Sequence, residues 1–156
     1  MTNQIIPCLW FDDQAEEAAV FYTSVFKDSK IEYISRYGKE GFEIHGQKEG
    51  TAMTVGFQLN GQSFTALNGG PVFKFTEAIS FQLFCDTQEE IDYLWNNLTD
   101  GGSEGQCGWL KDKFGISWQI VPSILSKLLG DPRKAGRVTN AFLQMKKFDI
   151  EKLMLA

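Results

Sequence analysis

The feature that most constrains this chain is an internal repeat. Residues 5–22, IIPCLWFDDQAEEAAVFY, form an apolar stretch closed by an acidic turn that opens a helix, and residues 78–95, AISFQLFCDTQEEIDYLW, repeat this pattern. When the two copies are aligned, the segment from Cys8 to Asp12 falls on the segment from Gln82 to Asp86. Two such units can close around a shared cleft, so inward-facing side chains at equivalent positions are the first candidates for function.

Length and charge limit the classes of protein to which the chain can belong. Its 156 residues, 43% of them apolar, predict one globular domain or two small halves that share a core. A net charge of -5 and the lack of a Lys/Arg cluster argue against nucleic acid and anionic membrane surfaces as partners. The charge balance therefore favours a small-molecule ligand or another protein.

The sequence predicts a cytoplasmic protein with reduced thiols. It contains no apolar run of about 18 residues that could cross a bilayer, and the start MTNQIIPCLW lacks the basic segment and apolar core of a signal peptide. The three cysteines, Cys8, Cys85 and Cys107, cannot all pair within one chain, and their sparse spacing is not that of a disulfide framework.

The first copy predicts a strand, a helix and three further strands. Asp13 with Glu16 resembles a capping box, and Asn60-Gly61 suits the two-residue turn of a hairpin. Residues 40–50 are predicted to form an exposed polar excursion. The predicted elements of this copy are a strand at 4–11, a helix with an apolar stripe of Ala15, Ala18, Ala19, Tyr22 and Phe26, and strands at 31–37, 52–59 and 62–68.

The second copy repeats this order and is followed by helices. A strand at 79–85 precedes a helix that is opened by Thr87 with Glu90 and carries an apolar stripe, and strands near 107–113 and 116–121 follow, turning at Phe114-Gly115. The apolar stripe of this helix is Ile91, Leu94, Trp95 and Leu98. After Pro122 the pattern becomes helical, with one helix ended by Gly130, another after Asp131-Pro132 and a last turn capped by Asp149.

The sequence therefore predicts an α+β fold of tandem βαβββ repeats. Unit one covers about 1–70, unit two about 78–122, and a C-terminal helical appendage about 123–156.

Four sequence motifs resemble those of a known superfamily. They are PCLWFDDQAEEAAVFY at 7–22, FTALNGGP at 64–71, CGWLKDKFGISWQIVP at 107–122, and LLGDP with NAFLQMKKFDI towards the end. With the repeated unit, they resemble the vicinal oxygen chelate superfamily of glyoxalase I, bleomycin-resistance proteins and extradiol dioxygenases. Within it, the chain is most similar to PhnB-like proteins, often labelled 3-demethylubiquinone-9 3-methyltransferase. The resemblance covers nearly the whole chain and implies a single domain, 1–156, with a half-barrel cleft.

The residues give the methyltransferase label no support. No Gly-rich loop follows the first predicted strand, and no downstream acidic residue is placed to hold the ribose of S-adenosylmethionine.

The resemblance also implies a place for a metal ion. Metal-dependent relatives use four ligands, typically His and Glu, from the first and last strands of each unit. The internal repeat maps these positions onto Cys8, Thr65, Gln82 and Gln119. Neutral amide and hydroxyl oxygens bind divalent ions weakly without carboxylate or imidazole partners, and the single histidine, His45, lies in the polar excursion. The sequence therefore predicts a ligand cleft without a metal or other cofactor.

Three further properties of the predicted cleft remain open. Trp10 shares the face of Cys8, where it could wall an aromatic ligand or fill the core. Arg36 could bind an anionic ligand through a bidentate hydrogen bond or be solvated. Cys8 is the candidate nucleophile if chemistry occurs, although a buried free cysteine is commonly inert.

Three classes of function remain compatible with the sequence. The first is a binding protein with an apolar, aromatic-lined cleft for a small organic molecule. The second is an enzyme that uses a weakly held metal ion or the Cys8 thiol. The third is a scaffold without a ligand. A homodimer is expected in each case, from the resemblance and from the apolar helices after Pro122, and the cleft could be shared between subunits.

Overall fold

The computed structural model describes residues 3–156, which divide into two compact units. The first unit extends to Lys74 and the second from Phe75 to Ala156. The elements of the first unit are β1 Cys8–Phe11, α1 Ala15–Val25, β2 Lys30–Arg36, α2 Phe42–His45, β3 Ala52–Leu59 and β4 Gln62–Asn68. Those of the second are β5 Phe81–Cys85, α3 Gln88–Thr99, β6 Ser103–Glu104, β7 Trp109–Lys111, β8 Ser117–Pro122, α4 Leu125–Leu129, α5 Ala135–Phe142 and α6 Ile150–Leu155.

The two sheets have the same topology. The strand order is β1-β4-β3-β2 in the first unit and β5-β8-β7-β6 in the second. In each unit the first and last strands run parallel, whereas the other neighbours are antiparallel. The predicted α+β fold with a repeated βαβββ unit is therefore confirmed.

The core of the first unit lies between α1 and one face of its sheet. The predicted helical stripe is fully confirmed, because Ala15, Ala18, Ala19, Tyr22 and Phe26 are all buried. The ring of Tyr22 stacks on that of Phe57 in β3, with 6.3 Å between the ring centroids. Strand alternation then turns every second side chain of the sheet to the face opposite α1.

The start of α1 differs from the prediction. Its N-cap is Gln14, and no side-chain cap from Asp13 is formed. Instead, the side-chain oxygen of Asn68 in β4 accepts a hydrogen bond from the Ala15 N–H at 2.8 Å. A buried amide from the neighbouring strand thus satisfies a helix donor that a local side chain was expected to satisfy.

Three further predictions in the first unit have different outcomes. The Asn60-Gly61 turn is confirmed, with φ angles of 48° and 78° at its two residues. The strand predicted at 4–11 begins only at Cys8, after Pro7, which has no N–H to donate to a sheet. The expected polar excursion contains one helical turn, α2.

The second unit packs α3 on its sheet as predicted. The capping box of Thr87 and Glu90 is present, and Ile91, Trp95 and Leu98 are buried. The strand predicted near 107–113 is shorter, because left-handed backbone at Cys107 and Gly108 precedes β7.

The turn before β8 is organised by the buried carboxylate of Asp112. Its two oxygens accept hydrogen bonds from the N–H groups of Phe114 and Ile116 and from the indole N–H of Trp118. Trp118 is therefore a core residue.

The C-terminal helices belong to the second unit. Asp149 caps α6 by accepting from the Lys152 N–H, and Gly130 ends α4, both as predicted. The N–H groups of Cys107 and Gly108 donate to the carbonyls of Met145 and Lys146, each at 2.7 Å. In the part of the chain that the structure describes, no helix has the length and apolarity required to span a membrane.

Candidate functional site

The first unit places Cys8 and Thr65 side by side. They are register partners across the parallel pair of β1 and β4, and Thr65 is in turn the partner of Gly56 in β3. Their neighbours Leu9, Phe57 and Phe64 are buried in the core, so alternation turns Cys8 and Thr65 to the face opposite α1. On this face Cys8 is exposed and Thr65 is half-buried.

Cys8, Thr65 and Gly56 form a row across three neighbouring strands, and an aromatic ring from β2 continues this row. Tyr33 in β2 is the register partner of Gly56, and its ring lies over the glycine. A Cβ atom at position 56 would stand only 2.1 Å from Cε1 of Tyr33. The row therefore needs glycine at position 56, because only a residue without a side chain leaves room for the ring.

Trp10 lies in the next row of the same face and is anchored there. Its indole N–H donates to the carbonyl of Gly70 at 2.9 Å, and its ring meets that of Phe73 edge-on at 5.0 Å. A Cβ atom at Gly69 would fall 2.1 Å from Cζ2 of this indole. Trp10 is thus held in place by the segment that follows β4. It therefore has a structural role in the first unit, in addition to any contact with a ligand.

The second unit places Gln82 and Gln119 side by side in the same way. They are register partners across β5 and β8, and the Gln82 amide donates to the Gln119 side-chain oxygen at 3.1 Å. The Gln119 amide donates to the hydroxyl of Ser80 at 2.7 Å. Trp109 in β7 is the register partner of Gln119, so an indole flanks the amide pair.

A second aromatic side chain lies on this face of the second sheet. Phe84 stands two residues after Gln82, hence on the face opposite α3, and it is 65% exposed. Phe81, by contrast, packs on the buried Trp118 with 5.3 Å between ring centroids.

The two units therefore present equivalent rows. In the first, Tyr33 over Gly56 is followed by Thr65 and Cys8. In the second, Trp109 is followed by Gln119 and Gln82. Each row joins an aromatic ring to two uncharged polar groups.

Arg36 is engaged elsewhere. Its guanidinium donates to both carboxylate oxygens of Glu16 in α1, at 3.0 and 3.1 Å. This hydrogen bond and the charge of Glu16 raise the pKa of Arg36 above its ordinary value. The side chain thus reaches the helix, away from the row of Cys8 and Thr65.

The donor set does not fit the divalent ion that the superfamily resemblance implies. Neither pair includes a carboxylate or imidazole, and both polar groups of the Gln119 amide are already bonded to Gln82 and Ser80. Among residues 3–156, no three His, Cys, Asp or Glu side chains are grouped so that they could hold a metal ion. His45 lies against Tyr37, with 4.5 Å between ring centroids, and its Nδ1 accepts from the Gln47 N–H.

Sequence reasoning missed Phe84 and Tyr33 on these faces, and it gave Trp109 only as a packing residue or as part of the rim of the cleft. Phe84 could have been found, because strand alternation from Gln82 places it on the same face. Trp109 could not be assigned to the Gln119 row without the register of β7, and the approach of Tyr33 to Gly56 depends on a shift in the pairing of β2 with β3.

Comparisons with known proteins agree with this fold. The family model described as 3-demethylubiquinone-9 3-methyltransferase matches residues 3–121. A PhnB protein from Bacillus cereus, described as a putative 3-demethylubiquinone-9 3-methyltransferase, is 38% identical over 78% of this chain and 100% of its own, with a TM-score of 0.69.

More distant structures share the fold alone. A protein from Pseudomonas aeruginosa is 20% identical over 78% of this chain and 98% of its own, with a TM-score of 0.61. The fosfomycin resistance protein FosX from Listeria monocytogenes, described as complexed with Mn(II) and sulfate, is 12% identical over 83% of this chain and 97% of its own, with a TM-score of 0.55.

A comparison with curated proteins gave no match. The extent of the family match and the identity with the Bacillus cereus protein nevertheless decide the classification. The chain belongs to the family described as 3-demethylubiquinone-9 3-methyltransferase, the PhnB-like proteins.

Proposed function

We propose that the protein binds a small, planar organic molecule without a metal ion, on the face of a sheet that is turned away from its helix, α1 in the first unit and α3 in the second. The observation that carries this proposal is the repeated row of one aromatic ring and two uncharged polar groups. Aromatic rings offer flat apolar area to a planar ligand, and a few hydrogen-bonding groups orient it. Both kinds of group are present on each sheet.

The second unit provides the clearer example of such a face. Gln82 and Gln119 fix one another through their hydrogen bond, so their amides are held in place before a ligand arrives. Trp109 and Phe84 lie on the same face, and Phe84 is largely exposed. An exposed phenylalanine beside an ordered amide pair suits a ligand that stacks and accepts or donates a few hydrogen bonds.

A ligand screen tests this proposal. In a thermal-shift assay with planar aromatic antibiotics and metabolites, a ligand present at 100 times its Kd should raise Tm by about 5 to 10 °C. Hits are then titrated by calorimetry against Trp109→Ala and Gln119→Ala, which should weaken binding by about tenfold or more. Gln62→Ala is the matched control, since Gln62 bonds the Ser63 carbonyl at the hairpin and should leave binding unchanged. Silence across the screen would contradict the proposal and favour a scaffold.

We also propose that the protein is a homodimer. Part of the apolar surface expected to need a partner is used within the second unit, because Leu128, Val138 and Phe148 are buried. Leu143 and Leu155 remain 52% and 80% exposed. Light scattering at micromolar concentration should give twice the mass of 17.6 kDa, and a species of that mass alone would reject the dimer.

A further inference from the structure

The hydroxyl of Ser117 is an unusual group in the second unit. Ser117 is only 2% exposed, and its Oγ has no hydrogen-bond partner among the described residues. Buried polar atoms are nearly always paired, because an unpaired one loses its bonds to water without replacement. An orphan hydroxyl of this kind therefore points to a partner that arrives from outside the chain.

Strand alternation shows where this hydroxyl lies. Ser117 begins β8 two residues before Gln119, so both side chains belong to the face opposite α3. Its register partner is Lys111 in β7. Ser80 directly precedes β5, which pairs with β8 through Phe81 and Trp118 one position further along. Ser117, Lys111 and Ser80 thus occupy one end of the proposed binding face.

Hydrogen-bond donors accumulate at this end of the sheet. The Gln82 amide donates to Gln119, and the Gln119 amide donates to the Ser80 oxygen. Because Ser80 acts as the acceptor in this chain of bonds, its own hydrogen is left for a further acceptor. The hydroxyls of Ser80 and Ser117 and the ammonium of Lys111 therefore match a group that only accepts and carries negative charge.

The chain already supplies a carboxylate to one of these donors. Lys111 forms an ion pair with Glu77, and its hydrogen bond lowers the pKa of Glu77 below the ordinary value. Glu77 is 65% exposed and lies in residues 69–80, which form neither helix nor strand between β4 and β5. One carboxylate can replace another at the same ammonium with little net electrostatic change. The carboxylate of a ligand could therefore take the place of Glu77 at Lys111.

We propose that this end of the face opposite α3 binds the carboxylate of an aromatic acid, which displaces Glu77 from Lys111 and accepts hydrogen bonds from Ser117 and Ser80. The aromatic body then lies along Gln82 and Gln119 towards Trp109. This inference rests on the proposed function, because it assigns the charged end of the same ligand. It narrows the ligand class from planar organic molecules to planar organic acids.

A matched pair of probes tests the charge requirement. In calorimetric titrations of the full chain, 2-naphthoate should bind about tenfold tighter than 2-naphthamide, which has the same ring system without the charge. Lys111→Met and Ser117→Ala should each remove most of this preference while leaving 2-naphthamide binding in place. Glu77→Gln should strengthen 2-naphthoate binding, since it removes the competing carboxylate. Ser126→Ala, a serine variant in α4, should change neither affinity.

The stability of the variants separates binding effects from folding effects. Without ligand, Ser117→Ala should melt at the temperature of the unmodified protein or above it, because the substitution breaks no hydrogen bond. Equal affinity for both probes, or no gain from Glu77→Gln, would overturn the inference and leave the proposed function standing. Binding of neither probe, together with silence in the wider aromatic screen, would overturn both.

Discussion

The side chain of Asn68 joins the end of β4 to the start of α1 by accepting a hydrogen bond from the Ala15 N–H at 2.8 Å. Its amide also donates to the carbonyl of Ala52 in β3 at 2.9 Å, and the residue is 1% exposed. One buried side chain thus connects a helix and two strands.

Replacement of Asn68 should therefore destabilise the first unit strongly. Asn68→Ala breaks two buried hydrogen bonds and leaves the Ala15 N–H and the Ala52 carbonyl without partners. We expect the free energy of unfolding to fall by roughly 2 to 4 kcal/mol, measured by urea denaturation. Asn60→Ala cannot serve as the control, because Asn60 has a φ of 48° and alanine would itself strain the turn.

A second substitution at the same position distinguishes the two hydrogen bonds. Asn68→Asp keeps an oxygen for the Ala15 N–H but cannot donate to the Ala52 carbonyl unless it is protonated. It should therefore destabilise the protein at neutral pH and less so in acid, where the carboxyl regains a donor. Stability equal to the unmodified protein for both variants would contradict this role.

Two consecutive lysines attach the turn before α6 to the rest of the second unit. Lys147 pairs with Asp92 in α3 at 2.6 Å, and Lys146 pairs with Glu104 in β6 at 3.3 Å. Hydrogen bonds from Lys147 and then Gln88 lower the pKa of Asp92 from its ordinary 3.8. Hydrogen bonds from Trp95 and then Lys146 lower the pKa of Glu104 from its ordinary 4.5.

These lowered pKa values predict that acid destabilises the segment that connects α5 to α6. A depressed carboxyl pKa contributes stability above the ordinary value, and this stability is lost as pH falls through the value in the folded protein. Amide exchange of residues 142–149 should therefore speed up relative to the first unit below pH of about 4. Asp92→Asn should reduce this pH dependence. Glu49→Gln, which removes an exposed pair with Lys39 at 4.0 Å, should not.

Cys8 and Cys85 should react with thiol reagents at different rates. Cys8 is exposed and Cys85 is 2% exposed. Burial, followed by the charges of Glu90 and Asp86, raises the pKa of Cys85 from 9.0 to about 11. Because the thiolate is the reactive form, an aromatic disulfide reagent at pH 8 should show a fast phase from Cys8 and slow reaction of Cys85.

Two variants and a pH series check this assignment. Cys8→Ser should remove the fast phase, whereas Cys85→Ala should retain it. The neutral Cys85 thiol stabilises the folded state below pH 9, and this contribution is lost as pH rises through about 11. A fast phase that survives Cys8→Ser would show that another thiol is accessible.

Divalent metals should bind weakly. Calorimetric titration with Zn²⁺, Ni²⁺ and Mn²⁺ is expected to give no binding in the micromolar range, because the paired residues Gln82 and Gln119 provide amides. The double substitution Gln82→His with Gln119→Glu places stronger ligands at adjacent strand positions and should raise Zn²⁺ affinity. Micromolar binding to the unmodified protein that is lost on Gln119→Ala would refute the metal-free site.

Local sequence signals predicted the elements whose causes are local. Thr87 and Glu90 cap α3 through bonds within one helical turn, and Asn60-Gly61 forms its turn from its own backbone preferences. The repeat then predicted which strand positions become neighbours, and Gln82 is indeed the register partner of Gln119. Repetition carries this information because equal units fold to equal topology.

Contacts between distant segments were not predictable in this way. The cap on α1 comes from Asn68, 53 residues further along the chain, and Arg36 reaches Glu16 through the bulged pairing of β2. Ser117 reads as an ordinary strand residue, and only the surrounding packing leaves its hydroxyl without a partner. Such features depend on tertiary geometry, which a single sequence does not display.

The ring of Tyr33 over Gly56 has a consequence for comparing the two halves of this protein. When the two units are aligned residue by residue, Gly56 corresponds to Trp109. The sequences therefore differ at a position where a ligand would contact the sheet. In space, an aromatic group fills the place in both, once from its own strand and once from the strand beside it. Mutations at positions 33 and 56 are therefore coupled. A larger side chain at position 56 fits only if the ring at position 33 is replaced by a smaller group at the same time.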